Sequence, residues 1–326
     1  MGPALCLVSA ACFGAMGIFG KLAYDEGVSP GALLLVRFAL AAGLLAVLLL
    51  VRPELRRGPA GAAPTPPAPT PSGRATLGLV VTALGLGAVG YAAQASLYFA
   101  ALERMDASLL SLVFYTYPIL VTAVVVLLGR ERLTPGRCAA LVVASGGLLL
   151  VLLGSGGLDY QPLGTALAFA AAGTYTGYIL VADGVVRRLP PVTLSALVMA
   201  GAAVTMAARA VVSGGVDLGF GPWAWFWLGC IALVSTVLAM LTFFAGLRRT
   251  GPSTAAILST FEPVVAGALA TVTLGELLTP VQVAGGLLVV SSAAALHLRR
   301  PAVRRPTVPG PVSQIFAYCA PPGGPQ

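Results

Sequence analysis

The sequence predicts an all-α membrane protein with ten transmembrane helices, arranged as two five-helix repeats of inverted topology. Three observations carry this prediction: an apolar composition, regularly spaced apolar runs, and a sequence repeat whose two copies exchange their arginines. Hydrophobic residues make up 58% of the 326 residues and charged residues only 9%, whereas charged residues average about 25% in soluble domains. This composition indicates a chain that is embedded in lipid over most of its length.

Ten apolar runs are each long enough to cross the roughly 30 Å hydrocarbon core of a bilayer as a helix. Gly and Ala replace β-branched residues in many of these runs, which suits close contact between helices in lipid. The runs lie at about 4–22, 31–51, 77–101, 107–129, 136–154, 162–181, 192–212, 223–247, 253–273 and 280–298.

The second half of the chain repeats the first at a distance of 145 residues. The shared residues include Phe, Ser, Pro, Glu and Thr. In so apolar a chain, matches of these residues are stronger evidence of a repeat than matches of Ala or Leu. Tyr98-Phe99-Ala100-Ala101-Leu102 recurs as Phe243-Phe244-Ala245-Gly246-Leu247, Pro118 as Pro263, and Glu131-Arg132-Leu133-Thr134-Pro135 as Glu276-Leu277-Leu278-Thr279-Pro280. The first two spans of each half match more faintly at an offset near 160. We therefore predict repeats at 4–154 and 162–298, and an internal repeat in a membrane protein is typical of transporters.

The basic residues indicate how the spans are oriented. If the spans alternate, fifteen basic residues fall on one side of the membrane and three on the other, which places both termini in the cytoplasm. A unit of five spans is odd, so the second unit enters the membrane inverted. The charges agree: Glu103-Arg104-Met105-Asp106 becomes Arg248-Arg249-Thr250-Gly251 in the second copy. The net charge of +8 thus reflects topology and does not indicate a nucleic-acid partner.

Two segments fall outside the predicted spans. A Pro-rich stretch at 53–75 and the tail at 299–326 are expected to be a cytoplasmic loop and a disordered cytoplasmic tail. The chain contains 18 Arg and one Lys, which resembles the codon usage of a GC-rich genome. We expect a multi-pass protein of the plasma membrane, specifically a bacterial inner membrane.

No motif indicates a cofactor, a metal or catalysis. The five cysteines are scattered without metal-ligand or disulfide spacing. The GxGxxG match at 85–90 lies inside a predicted span without a preceding strand, so we interpret it as a helix-packing surface. A single histidine, His297, offers no partner for enzyme chemistry. We expect no cofactor and no enzyme activity.

The chain resembles the drug/metabolite transporter superfamily, specifically its EamA branch, over residues 4–298. The resemblance rests on two five-span units and on a repeated sequence motif. The motif is a Pro followed by an apolar run and then Glu-x-Leu-Thr, and it occurs at Pro118 to Thr134 and at Pro263 to Thr279. Phe261-Glu262-Pro263 and Val36-Arg37-Phe38 also resemble this family. The resemblance implies a central cavity formed by spans 1–4 and 6–9, and export of amino acids, other metabolites or drugs.

Two charged residues lie inside predicted spans. Glu262 precedes a proline in mid-span, where a carboxylate costs a few kcal/mol unless it faces a cavity or a partner. It either binds a substrate ammonium group or a coupling proton, or hydrogen-bonds to backbone freed by Pro263. Arg37 either binds a substrate carboxylate through its planar guanidinium group, pairs with an acidic group on a neighbouring helix, or extends to the membrane surface.

Polar and aromatic side chains follow helical stripes in the spans of both halves. Tyr91, Gln94 and Tyr98 share one face of span 3, Tyr115 lies in a similar stripe of span 4, and Tyr175 is in span 6 beside Thr174 and Tyr178. Such stripes suit either the wall of a pathway or ordinary hydrogen bonds between helices. At one repeated position Tyr117 is replaced by Glu262, and this difference between the halves marks the predicted site.

These observations predict a secondary transporter that exports a small metabolite or amino acid by alternating access. The predicted substrate pathway contains Arg37, Tyr91, Gln94, Tyr98, Tyr115, Tyr117, Tyr175 and Glu262. The expected partners are a small-molecule substrate and the lipid bilayer, while proton coupling and a homodimer stay open. The alternatives are a polytopic membrane enzyme and a nontransporting membrane sensor or assembly subunit.

Overall fold

The computed structural model describes residues 1–56, 73–102, 104, 110, 113–131, 134–153, 161–274 and 279–298. Every regular element in these ranges is a helix, which confirms the all-α class. The predicted tail at 299–326, most of the predicted loop at 53–75, and Glu276 lie outside the described residues.

In the described part of the first half there are six regular α-helices. After α2 a short 3₁₀ turn spans Pro53–Arg56, and α3 continues into α4 through a π-helical turn at Leu86–Tyr91. A proline begins many helices of the chain because its missing N–H has no intrahelical partner there and its fixed φ suits a helix. The six helices are α1 (Gly2–Asp25), α2 (Pro30–Val51), α3 (Gly73–Gly85), α4 (Ala92–Leu102), α5 (Tyr117–Leu127) and α6 (Pro135–Leu153).

The described residues of the second half form seven α-helices and a second π-helical turn, Leu233–Leu238, which joins α9 to α10. These helices are α7 (Pro162–Val186), α8 (Pro191–Val212), α9 (Pro222–Ala232), α10 (Ala239–Thr250), α11 (Pro252–Ser259), α12 (Glu262–Leu274) and α13 (Pro280–Leu298).

Seven helical stretches of the described chain are long and apolar enough to cross a membrane. They are Gly2–Asp25, Pro30–Val51, Leu77–Tyr98, Pro162–Val186, Pro191–Val212, Pro222–Thr250 and Pro252–Thr273. Shorter apolar helices lie at Tyr117–Leu127, Pro135–Leu150 and Pro280–Ala295. The ten predicted apolar runs overlap these stretches, and large apolar side chains such as Leu127 and Val212 face outward, where lipid would cover them.

The helices of the two halves pack against one another. The helix α1 packs on α10 and α12, α7 packs on α4 and α5, α2 packs on α8, and α6 packs on α13. Two glycines permit the closest of these approaches: a Cβ at Gly87 would meet the backbone of Val198 in α8, and a Cβ at Gly201 would meet that of Leu84 in α3. The interpretation of 85–90 as a helix-packing surface is therefore confirmed, since small residues let membrane helices touch along their backbones.

Two predicted spans are interrupted by π-helical turns that the sequence pattern did not predict. In a π turn each N–H bonds to the carbonyl five residues earlier, and such turns are frequent at functional sites. In the second turn the hydroxyl of Thr236 also donates to the carbonyl of Ile231, at 2.9 Å. The first turn ends at Tyr91, which is 145 residues before Thr236.

Helix breaks precede both repeated prolines. The helix α11 ends at Ser259 and α12 begins at Glu262, because Pro263 has no N–H and its ring clashes with the carbonyl four residues earlier. The hydroxyl of Thr260 donates to the carbonyl of Ile257 at 2.7 Å and closes the turn. An equivalent turn precedes Pro118, where the hydroxyl of Thr116 donates to the carbonyl of Val113 at 2.7 Å. As a result, Tyr117 and Glu262 are each the first residue of a helix.

Candidate functional site

Five tyrosines from both halves of the chain form one connected group, which we call the tyrosine cluster. The π turn contributes Tyr91, the break before α5 contributes Tyr115, α5 contributes Tyr117, and α7 contributes Tyr175 and Tyr178 one turn apart on one face. The ring centroids of consecutive members are 5.6 Å apart for Tyr91–Tyr178, 5.8 Å for Tyr178–Tyr175, 4.8 Å for Tyr175–Tyr117 and 5.8 Å for Tyr117–Tyr115.

Two phenylalanines extend the tyrosine cluster at its ends. The ring of Phe38 lies edge-on to Tyr91 at 5.4 Å, and Phe114 contacts Tyr115, Tyr117 and Tyr175 at 5.4–5.7 Å. Tyr98 joins through Phe114, at 5.3 Å. Aromatic pairs at these separations contribute about 0.5–1.5 kcal/mol beyond their buried area, so these contacts stabilise the cluster, which also carries hydroxyl groups.

Arg37 lies at the Tyr91 end of the tyrosine cluster. Only 5% of its surface is exposed, although it belongs to the apolar helix α2. Its Nε donates to the hydroxyl of Thr236 at 2.9 Å, and its Nη2 donates to the hydroxyl of Tyr91 at 2.8 Å. The guanidinium carbon lies 4.9 Å from the centroid of the Phe38 ring, within the range of a cation–π interaction. Arg37 therefore neither extends to the membrane surface nor forms an ion pair with a described carboxylate.

Glu262 lies at the other end of the tyrosine cluster, as the first residue of α12. The hydroxyl of Tyr115 lies beside its carboxyl group, and the side chains of Tyr117 and Ser259 lie beside each other near it. A carboxylate in the first turn of a helix is also stabilised by the positive end of the helix dipole. The break before Pro263 thus gives Glu262 both a phenol neighbour and a helix N-terminus.

The site is bipolar. The positive charge of Arg37 acts electrostatically on Glu262 across the cluster, yet the two side chains do not form an ion pair. Within a low-dielectric interior such charges interact over longer distances than in water. A buried positive charge and a half-buried negative charge, with aromatic side chains and hydroxyl groups between them, can bind a small polar molecule reversibly.

The structure brings seven of the eight sequence-predicted residues into this group: Arg37, Tyr91, Tyr98, Tyr115, Tyr117, Tyr175 and Glu262. The eighth, Gln94, is partly exposed on α4 and belongs to none of the contacts that join the others. Sequence reasoning missed Thr236 and Phe114, and did not include Tyr178 in the pathway. Thr236 had one available signal, since it is the repeat equivalent of Tyr91.

Among the described residues, no group of three or more His, Cys, Asp or Glu side chains is arranged to hold a metal ion. The site itself presents a guanidinium, a carboxyl group, hydroxyls and aromatic faces. Groups of this kind can recognise charge and shape in a ligand.

Comparison with known proteins identifies relatives of the whole chain. The model of the EamA-like transporter family matches it twice, over residues 1–153 and 162–297. The uncharacterized transporter YcbK of Bacillus subtilis (strain 168) is 26% identical over 292 residues, which cover 87% of this chain and 88% of YcbK. The uncharacterized transporter YwfM of the same organism is 28% identical over 167 residues, which cover 47% of this chain and 54% of YwfM.

A solved crystal structure has a related fold. It matches this chain with a TM-score of 0.74 and 18% sequence identity, over 91% of this chain and 96% of the other. At this identity the match shows a shared fold alone.

Proposed function

Because this chain belongs to the EamA-like transporter family and has multiple apolar helices, it is a multi-pass membrane transporter, and we propose that it exports a small metabolite or amino acid by alternating access. The observation that carries this proposal is the bipolar site, where a buried Arg37 and a half-buried Glu262 lie at opposite ends of the tyrosine cluster. Buried ionisable residues in membrane proteins generally mark substrate or ion pathways.

The proposed architecture is ten transmembrane helices in two inverted repeats. This architecture is supported by a reciprocal packing pattern. The helix α1 of the first half packs on α10 and α12 of the second half, while α7 of the second half packs on α4 and α5 of the first half. The sequence offsets make α7 the equivalent of α1, α4 that of α10, and α5 that of α12. The family model also matches once in each half. Inverted repeats of this kind place the substrate between the halves and expose it to each side in turn.

The proposed orientation has both termini in the cytoplasm of a bacterial cell, with the protein in the plasma membrane. It follows from the arginines, which concentrate on one side of the membrane if the helices alternate.

The helix breaks further support a pathway at this site. Substrate sites of secondary transporters are typically formed by discontinuous helices whose ends point at charged groups. Here the break between α11 and α12 places Glu262 at a helix N-terminus. We assign substrate contact to Arg37, Glu262 and the tyrosine cluster. Gln94 and Tyr98 are assigned to the outer wall of the pathway.

The experiment is a flux assay with the full chain in proteoliposomes. A panel of labelled amino acids, organic acids and amines is loaded inside, and efflux is compared with protein-free liposomes. We expect at least one compound to leave in a protein-dependent manner, and Arg37→Met to lower that flux at least tenfold. Arg209→Gln is the matched control, because Arg209 is exposed and should retain wild-type flux. Absence of flux for the whole panel would favour a membrane enzyme or a nontransporting subunit.

A further inference from the structure

We infer that Thr236 and Tyr91 are positioning residues that turn the guanidinium of Arg37 toward a carboxylate of the transported molecule. This inference rests on the proposed function, because it names the group that the transport site recognises. It also assigns a role to Thr236, which sequence reasoning missed. The evidence comes from the donors of Arg37, the orientation of the Thr236 hydroxyl, and two buried hydroxyls that have no hydrogen-bond partner among the described residues.

Arg37 uses only part of its hydrogen-bonding capacity within the protein. A guanidinium has five N–H donors in a fixed plane, and the described residues accept two of them, one from Nε and one from Nη2. Both acceptors are neutral hydroxyls. The remaining donors, including both of Nη1, are available for the parallel pair of hydrogen bonds that a carboxylate accepts from arginine.

The charge of Arg37 also has no direct counterion among the described residues. The ion pairs among the described residues are Arg52–Glu54, Arg137–Glu131 and Arg187–Asp183. A buried charge without a partner is costly, and the cation–π contact with Phe38 offsets only part of that cost. An anionic group of the ligand would supply the missing partner during binding.

Thr236 can act only as an acceptor toward Arg37. A threonine hydroxyl has a single proton, and Thr236 donates it to the carbonyl of Ile231, five residues earlier, at 2.9 Å. Its lone pairs therefore face the Nε of Arg37. The π turn fixes this hydroxyl, and Tyr91, at the end of the other π turn, fixes Nη2. Equivalent positions of the two halves thus hold one edge of the guanidinium and leave the other edge to the ligand.

A second observation points to a polar ligand at this place. The hydroxyl of Tyr178 is buried, with 2% of the residue exposed, and has no hydrogen-bond partner in the described part of the chain. Its ring lies against Tyr91 at 5.6 Å. The hydroxyl of Ser235, the neighbour of Thr236, is likewise buried and without a partner among the described residues. Buried hydroxyls are normally hydrogen-bonded, so a ligand oxygen or nitrogen beside Tyr91 would satisfy Tyr178.

The site contains one guanidinium, although the two residues that hold it, Tyr91 and Thr236, occupy equivalent positions of the two repeats. At the offset of about 160 that aligns the first spans, Arg37 corresponds to Leu197 in the second half. Only one half therefore supplies a guanidinium, while each half supplies one hydroxyl to hold it. We infer recognition of one carboxylate in each transport cycle.

The test is direct binding, which does not depend on transport. The full chain in detergent is unfolded thermally at neutral pH with increasing benzoate, whose ring suits the aromatic walls, and in parallel with benzamide, its neutral counterpart. A ligand that binds the folded state raises the unfolding temperature with its concentration. We expect benzoate, and not benzamide, to stabilise the wild type.

The variants separate positioning from general structure. Thr236→Val removes the acceptor and should weaken benzoate binding about tenfold, as expected for a hydrogen bond to a charged group. Thr236→Ser restores the hydroxyl and should restore binding. Thr242→Val is the matched control, because the hydroxyl of Thr242 donates only to its own helix, and it should bind benzoate like the wild type.

Three outcomes would overturn the inference: no binding of benzoate, equal binding of benzamide, or unchanged affinity in Thr236→Val. The outcome of the benzoate-binding test can be distinguished from the outcome of the flux assay. Arginine-dependent binding of benzoate without flux would reject transport and keep the anion site. Flux without a preference for carboxylates would keep transport and reject the anion site.

Discussion

Arg37 brings a charge into an apolar helix bundle, and its surroundings compensate for that charge in three ways. Two hydroxyls accept its hydrogen bonds, an aromatic face lies over it, and Glu262 acts on it from a distance. None of these neighbours is an ion-pair partner that would be left buried and unpaired if the arginine were replaced. The role of Arg37 should therefore be separable from folding.

We predict that Arg37→Met abolishes transport and leaves the thermal unfolding midpoint nearly unchanged, because replacing a buried charge by an apolar side chain of similar size is often neutral or stabilising. Arg187→Met is the contrast. Its partner Asp183 is buried, at 3.0 Å, and would be left without a cation, so this variant should unfold at a lower temperature. A large loss of stability in Arg37→Met would instead show a structural role.

Glu262 is a half-buried carboxylate of the site, and a carboxylate can exchange a proton with the pathway. If transport is coupled to protons at this carboxylate, the flux of the wild type depends on the pH gradient. We predict that Glu262→Gln, which keeps the shape and cannot titrate, makes flux independent of pH. Flux in proteoliposomes over a range of external pH measures this. Glu54→Gln is the control, because Glu54 is exposed; a pH profile of Glu262→Gln that equals the wild-type profile would remove Glu262 from coupling.

At the scale of the helices, the sequence predicted most elements and missed their irregularities. Apolar length and prolines located α1, α2 and α7 within a few residues. The two π turns were not predicted, because a π turn has nearly the same apolar pattern as an α-helix. Their positions depend on neighbours that are distant in sequence, such as the approach of Gly87 to Val198.

We predict that Gly87→Ala destabilises the protein by about 2 kcal/mol or more, because the added methyl meets the backbone of α8 and overpacking typically costs about 1–3 kcal/mol. Gly173→Ala is the control, since a Cβ there meets nothing within 4 Å and should cost little. Thermal unfolding of both variants in detergent provides the measurement. Equal midpoints would show that the first π turn and α8 do not pack as closely as described.

At the scale of the whole molecule, the two halves complement each other. The first helix of each half packs on the equivalent pair of helices in the other half. In addition, the guanidinium of Arg37 in the first half donates a hydrogen bond to Thr236 of the second half. Inversion of one half relative to the other would produce this reciprocal packing.

The proposed inversion predicts that Arg104 and Arg249, which are repeat equivalents, lie on opposite sides of the membrane. In a background without the native cysteines, a membrane-impermeant thiol reagent should label Arg104→Cys in intact cells. It should label Arg249→Cys only after the membrane is permeabilised. Labelling of both from the same side would exclude inverted repeats.

The sequence alone determined that the chain is a helical membrane protein with an internal repeat, because these properties depend on local composition and residue spacing. It also singled out Arg37 and Glu262, since charges inside apolar runs are conspicuous whatever the fold. Only the tertiary structure decided what these residues contact. Thr236 is 199 residues from Arg37, and Tyr115 is brought to Glu262 by a helix break in each half. Such contacts depend on how the helices cross and where π turns shift the register, and neither is encoded in a local pattern.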